Sequence, residues 1–245
     1  MTPERTGGGD PARTLELLWR EPRRAARGPA PRLDVEEIVT AAVALADEAG
    51  LDAVSMRAVA ARLGVSAMTM YGYVPGKREL LDLMVDALYL AMPREPYGRR
   101  GWGARLRAVA GGNRELYAAH PWAAAVATGR PPLGPGVMAK YEHELGALEG
   151  TGLSDVQMDA ALTFLLGFVQ ANAVTALAPS PDSDAEWWAQ AGPLLARVIT
   201  AEQYPLASRV GSAAGEAQGA AYDPDRAYEF GLERVLDGLA ALIER

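Results

Sequence analysis

Residues 55–78 form the part of the chain best suited to bind phosphate. The stretch carries Arg57, Arg62, Lys77 and Arg78 and no acidic residue. Guanidinium and ammonium groups bind phosphate oxygens through charge-assisted hydrogen bonds. The whole chain has a formal net charge of −7, which by itself disfavours a nucleic-acid partner. Because salt screens charges more than about 10 Å apart, a local basic patch on an acidic protein can still bind DNA.

Residues that commonly serve catalysis or metal binding are scarce. There is no cysteine, and the two histidines are His120 and His143, so we expect no catalytic centre, no metal site and no cofactor. His143 has acidic neighbours and could be an acid/base group of an enzyme in an all-α scaffold. Adjacent residues on a helix point in different directions, however, and no second histidine follows four residues later. We therefore interpret His143 as a surface or pocket-lining residue.

Two short helices joined by a glycine turn position the basic stretch. Ser55 predicts the N-cap of a helix that ends before Gly64, and Ser66 predicts the N-cap of a second helix that runs to about Tyr73. Gly64 can adopt the left-handed conformation that a sharp helix exit needs. This is the pattern of a helix-turn-helix, whose second helix enters the major groove of DNA. The predicted outward-facing residues of that helix are Ala67, Met68, Thr69, Tyr71 and Tyr73.

The remaining pattern predicts an all-α protein. Asp34 and Glu37 form a capping-box sequence at the start of the first main helix, and a helix from Lys77 to Met92 follows the helix-turn-helix. We predict three parts, namely a flexible arm (1–33), a three-helix DNA-binding domain (34–80) and a larger helical domain (81–245), to which the family resemblance described below assigns ligand binding and dimerisation. Further helices are predicted at 102–119, 121–128, 135–149, 155–177, 184–200 and 224–244, with a flexible loop at 205–221.

The arm allows two interpretations. It is rich in Pro and Gly, and Arg20, Arg23, Arg24 and Arg27 lie just before the first main helix. A basic arm can enter the minor groove beside a bound helix-turn-helix. A solubilising tail would have the same composition.

One stretch is long enough to span a membrane. Residues 160–178 carry no charge, but they include Gln170 and Asn172 among many alanines. We interpret this stretch as a helix buried on all sides by a large interface. Residues 1–33 lack the apolar core of a signal peptide. We therefore expect a cytoplasmic protein with no membrane partner.

The sequence VSMRAVAARLGVSAMTMYGYVPGKRELLDLM, at positions 54–84, resembles the tetracycline-repressor (TetR) family without a gap from Ser55 to Leu83. The stretches HPWAAAVATGRPP and DPDRAYEFGLERVLDGLAAL are also similar to that family, at moderate specificity. The resemblance implies that Arg57 contacts a base, that Thr69 and Tyr71 contact phosphates, and that Lys77 binds a phosphate. Ala67 stands where the tetracycline repressor has a base-reading glutamine, and Gly72 where it has a tryptophan. Those departures concern which operator is bound.

The resemblance also implies a homodimer with a small-molecule pocket. Residues 155–177 and 224–244 match the helices that pair across the two-fold axis, so a palindromic operator in double-stranded DNA is expected. Val109, Asn113 and Glu144 align with drug-contacting positions. The family's magnesium–drug histidine is replaced by Ala127 or Thr128, so a magnesium–tetracycline inducer is not expected. Aromatic candidates for the pocket, any of which could instead be core, are Trp122, Tyr141, Phe164 and Phe168.

Two other functions fit parts of the pattern. An enzyme would need a nucleophile–base pair or a metal cluster. A DNA-binding protein without a ligand would need a solid C-terminal core, whereas an open cavity would count against it. We predict a ligand-responsive transcriptional regulator, a repressor released from its operator by a small hydrophobic or aromatic molecule.

Overall fold

A computed structural model of the chain describes residues 4–20, 33–126, 130–176 and 184–244. These residues form helices and connecting segments without a β-strand, which confirms the predicted all-α class. The helices are α1 (Pro11–Leu18), α2 (Val35–Ala49), α3 (Met56–Arg62), α4 (Ala67–Tyr71), α5 (Lys77–Ala91), α6 (Trp102–Ala119), α7 (Pro121–Ala124), α8 (Pro135–Leu145), α9 (Asp155–Ala176), α10 (Asp184–Val198), α11 (Pro205–Gln218) and α12 (Pro224–Ile243). A short 3₁₀ turn, Leu51–Ala53, separates α2 from α3.

Local capping sets the first helices. Asp34 accepts a hydrogen bond from the backbone N–H of Glu37, and the Glu37 side chain accepts one from the N–H of Asp34, so the predicted capping box is present. Ser55 and Ser66 each accept a hydrogen bond from the N–H three residues later, at 3.1 and 3.0 Å. Gly64 has a φ of +68°, the left-handed conformation of the predicted turn. These interactions fix the first turns of α3 and α4 and the turn between the two helices.

Helix α5 lies at the centre of the molecule. Leu80 and Met84 on this helix are fully buried, and the helix packs against α1, α2 and α8. It also caps α8, because the carboxylate of Asp86 accepts hydrogen bonds from the N–H groups of Gly136 and Val137 at 3.1 and 2.8 Å. Gly136 is needed at this crossing, because a Cβ there would lie 1.9 Å from the backbone oxygen of Asp86.

The larger helical unit is organised around α9, which packs against α6 and α12. This helix is long and apolar enough to cross a membrane by length and composition. Within one chain it buries only Ala161, Leu162, Leu165 and Val169. The other residues of α9 keep an apolar face exposed in the single chain, and the prediction that a large interface covers this face stays a prediction.

The structure corrects two predicted loops. The described part of the arm is folded, since residues 11–18 form α1, which packs against α5 and buries Leu18. A mobile arm is thus wrong for these residues, because an apolar contact with a distant helix holds them. The predicted loop at 205–221 also contains a helix, α11, although it buries no residue. Arg23, Arg24, Arg27, Ala127 and Thr128 lie outside the described residues.

Candidate DNA interface and ligand cavity

Most of the predicted DNA contacts of the helix-turn-helix are exposed. Arg57 on α3 and Thr69 on α4 are exposed, as are Met68 (80%) and Tyr71 (48%). Ala67 is half-buried, and Tyr73, also half-buried, packs against the core. Between them, Met70 is fully buried and anchors α4. Four of the six predicted contacts of this motif, Arg57, Met68, Thr69 and Tyr71, are therefore exposed to solvent.

Lys77 begins α5 at the edge of this surface. Its N-cap, Gly76, offers no side chain to the helix start. Helix N-termini attract anions, because their first N–H groups have no partner within the helix. The Lys77 ammonium lies 2.8 Å from a carboxylate oxygen of Glu4 and 3.5 Å from the backbone oxygen of Leu51. Lys77 thus lies at a position that favours an anion, and the carboxylate of Glu4 occupies this position in the structure.

A cavity of about 530 Å³ lies among α5, α6 and α8. Its wall combines apolar residues with two imidazoles and a few charged groups. Val109 and Glu144, two of the predicted ligand contacts, line it. Helix α5 contributes Leu88 and Ala91 to the lining, and Met92 follows directly after its end. Helix α6 contributes Gly112, Glu115 and Leu116, among others. Helix α8 contributes His143 and Glu144.

Asn113, Lys140 and Glu144 form a buried polar cluster next to the cavity. Glu144 accepts hydrogen bonds from Asn113 Nδ2 and from Lys140 Nζ, both at 2.6 Å. Burial lowers the pKa of Lys140, although the neighbouring Glu144 opposes that shift. Burial also raises the pKa of Tyr117 to about 12 and raises that of Tyr89, so both phenols stay neutral at physiological pH. The cluster fixes Glu144 while leaving it at the cavity surface. The predicted contact Asn113 is 1% exposed and acts on the cavity through Glu144.

The structure places the four aromatic candidates away from this cavity. Tyr141 is partly exposed on α8 and donates a hydrogen bond to Asp159. Phe164 is 58% exposed on the open face of α9. Phe168 stacks on Tyr228 of α12, with ring centroids 5.7 Å apart. Placing these residues in the pocket from their sequence position was wrong, because each faces another direction around its helix.

Trp122, the fourth candidate, connects the two parts of the chain. Its indole N–H donates to the Asp47 carboxylate at the end of α2 at 2.7 Å, and the same oxygen is hydrogen-bonded to His120 Nδ1 at 2.8 Å. His120 also lines the ligand cavity, whereas Trp122 borders a separate cleft beside α2. The Asp47 bridge (Asp47, His120 and Trp122) is thus a second connection besides α5. Sequence reasoning missed Asp47 and His120, because a pairing between residues 73 positions apart leaves no local signal.

Comparisons with known proteins agree with this geometry. The family model "Bacterial regulatory proteins, tetR family" matches residues 38–84, and "Tetracyclin repressor-like, C-terminal domain" matches residues 93–243. The HTH-type transcriptional repressor DrrR1 of Streptomyces coeruleorubidus is 41% identical, over 98% of this chain and 89% of that protein. The Escherichia coli tetracycline repressor protein class A from transposon 1721 is 28% identical over 85% of this chain and 91% of its own length.

A solved structure shows the same architecture. It is that of the Streptomyces coelicolor TetR family protein ActR in complex with actinorhodin, with a TM-score of 0.73 and 29% identity. The match covers 86% of this chain and 98% of ActR. The apo form of ActR matches with a TM-score of 0.70. With an exposed helix-turn-helix, a C-terminal helical domain and both family models matched, this chain belongs to the TetR family of bacterial helix-turn-helix transcriptional regulators.

Proposed function

We propose that the chain is a repressor that binds a palindromic operator as a homodimer and is released by a small hydrophobic or aromatic molecule in the cavity. The observation that carries this proposal is the course of α5. The helix begins with Lys77 at the exposed face of the helix-turn-helix and ends with Leu88 and Ala91 in the cavity wall. A ligand that shifts the end of α5 therefore changes the position of its first turn.

The DNA contacts follow from the exposed surface. Arg57, Thr69 and Tyr71 are each exposed, and we assign them the roles that the family resemblance implies, a base contact and two phosphate contacts. Lys77 supplies a further phosphate contact at the helix start. Met68 is the most exposed of them and is suited to an apolar contact, such as a thymine methyl group.

The proposed effector is apolar with a few hydrogen-bonding groups. Most of the cavity surface is apolar, and polar or charged groups in its wall are those of Glu95, Tyr97, Arg100, Glu115, His120, His143 and Glu144. The relative ActR is solved with actinorhodin and with (S)-DNPA, which supports a ligand-responsive role here. An open cavity also counts against a DNA-binding protein that needs no ligand.

The test measures ligand affinity with and without operator. The operator is selected from random duplex DNA with the purified protein, and actinorhodin is the first probe, followed by hits from a thermal-shift screen. We expect the operator to weaken ligand binding, and the ligand to weaken operator binding, by the same factor, in the range of about 5–150-fold for a coupling of about 1–3 kcal/mol. Equal ligand affinities in the two conditions would refute the switch.

Gly112→Leu is the matched control for this experiment. A Cβ on Gly112 would face the cavity, since its nearest neighbour is the Met92 methyl group at 3.9 Å. The larger side chain fills the ligand space without touching the helix-turn-helix. We expect this variant to bind operator like the wild type and to lose the ligand response.

A further inference from the structure

Residues 4–10 lie across the first turns of α5, against the basic groups at the edge of the proposed DNA surface. Glu4 pairs with Lys77 at 2.8 Å. The backbone oxygen of Gly8 accepts a hydrogen bond from Arg78 at 3.3 Å. The N–H of Gly7 donates to the Asp82 carboxylate at 2.8 Å. We call residues 4–10 the N-terminal strap.

The strap is held at a fixed position by the larger helical unit. Thr6 is 1% exposed and donates a hydrogen bond to the backbone oxygen of Arg130 at 2.7 Å. Gly7 has a φ of +65°, and a Cβ there would lie 2.6 Å from the Cβ of Arg130. Behind the strap, α1 packs on α5, and Trp19 donates to the backbone oxygen of Leu133 at 2.9 Å. Glu4 is therefore presented to Lys77 by a folded segment.

Glu4 and a DNA phosphate would both bind to the ammonium group of Lys77. Each is an anionic acceptor, and each is favoured beside an ammonium group at a helix N-terminus. The Lys77–Glu4 pair keeps partial access to water, with side-chain exposures of 32% and 40%. An exchange of the carboxylate for a phosphate therefore requires only a local movement of the strap.

We propose that the N-terminal strap is an intramolecular competitor of operator DNA, in which Glu4 occupies Lys77 until a phosphate displaces it. The strap precedes the residues matched by the two family models, which begin at residue 38. This inference rests on the proposed function, because it requires Lys77 to contact DNA. It assigns the strap a role in setting operator affinity.

The test is a double-mutant cycle on the full-length protein, read by fluorescence anisotropy with the selected operator. Glu4→Gln removes the competing charge, so we expect operator binding to tighten about two- to fivefold at low salt, the range of an exposed ion pair. The gain should shrink as salt rises, because the pair is screened. In a Lys77→Ala background, Glu4→Gln should have no effect.

Glu16→Gln is the control, since Glu16 is exposed on α1 and its loss changes the net charge by the same amount. If Glu4→Gln binds like the wild type while Lys77→Ala weakens binding, the competitor role is wrong and the DNA contact stands. If Glu16→Gln tightens binding as much as Glu4→Gln, the effect is one of net charge and the proposal is again wrong. If Lys77→Ala binds like the wild type at every salt concentration, the proposed phosphate contact at Lys77 fails, and the inference with it.

Discussion

At the scale of single residues, the buried carboxyl groups determine how the stability of the protein depends on pH. Asp82 and Asp86 are both buried on α5, and burial raises the pKa of each carboxyl group. Asp86 has two N–H donors, whereas Asp82 has the Gly7 N–H on one oxygen and no partner for the other among the described residues. Asp82 is therefore the buried carboxyl group that is less well compensated.

The raised pKa of Asp82 predicts that the free energy of unfolding depends on pH. Burial is the main cause that raises its pKa from 3.8 to about 6; the Gly7 hydrogen bond opposes this shift and the nearby Glu79 charge adds to it. A raised pKa favours the protonated form in the folded state. Its stabilising contribution is thus fully present below pH 3.8 and is lost as the pH rises through about 6. We expect the free energy of unfolding of the wild type, relative to Asp82→Asn, to increase by about 1 kcal/mol from pH 7 to pH 5.

Urea unfolding at several pH values measures this difference. Asparagine keeps the acceptor for Gly7 and cannot ionise, so the variant lacks the pH-dependent contribution. Asp52→Asn, which removes one carboxyl group at an exposed position, is the control. A difference between wild type and Asp82→Asn that stays constant with pH would contradict the assignment.

At the scale of elements, the helices that depend on local signals are the ones that sequence predicts well. The bounds of α6 agree with the prediction, and α3 and α4 begin after the predicted serine caps. Helix α1 was missed because only eight residues form it and a distant contact with α5 stabilises it. Helix α11 was missed because it is rich in small residues, which are also typical of loops, and because it buries none of them.

Helices α5 and α8 approach each other closely where they cross, because Gly136 has no side chain. For Gly136→Ala the new methyl group would meet the backbone of Asp86 and Leu90, which cannot rotate away. We expect the free energy of unfolding to fall by about 3 kcal/mol. Gly211→Ala on α11 is the matched control, because no atom lies within 4 Å of its Cβ. There the higher helix propensity of alanine should stabilise the protein by up to about 1 kcal/mol.

Chemical denaturation of Gly136→Ala and Gly211→Ala measures the two changes in the free energy of unfolding. Opposite signs of the two changes support the close crossing. Destabilisation of both variants by a similar amount would show that the α5–α8 contact is not special.

At the scale of the whole molecule, one chain leaves an apolar surface without a covering layer. Phe164 on α9 and Phe230 on α12 are 58% and 66% exposed, and Val174 and Leu242 are about half exposed. Exposed apolar surfaces of this extent mark interfaces in soluble proteins. By contrast, Leu236 and Leu239 on α12 are about 95% buried within the chain.

The exposed pair therefore provides the test of the proposed homodimer. We expect the wild type to sediment as a dimer at micromolar concentration and Phe164→Glu/Phe230→Glu to sediment as a folded monomer, because charges would be buried without partners at the interface. Met138→Glu, an equally apolar but separate position on α8 with 44% exposure, should remain dimeric. A monomeric wild type would contradict the homodimer.

The candidate site was less predictable than the fold for a physical reason. Val109 and Glu144 line the cavity, and their contact with a ligand stays a prediction that the family resemblance implies. Tyr141, Phe164 and Phe168 were chosen for their aromatic character and sequence position, which do not determine the rotation of a helix about its axis. That rotation depends on tertiary packing, such as the contact of Phe168 with Tyr228. Glu4 had no signal at all, because its partner is 73 positions away.

The Asp47 bridge has a mechanical consequence. The helix-turn-helix unit is joined to the rest of the chain at three places: by the continuous α5, by the N-terminal strap between Lys77 and Arg130, and near the end of α2 by Asp47 with Trp122 and His120. Each further attachment removes rotations that a rigid body would otherwise have. Because His120 is also in the cavity wall, a ligand that displaces this residue would loosen the attachment at α2 and leave the unit held by α5 and the strap.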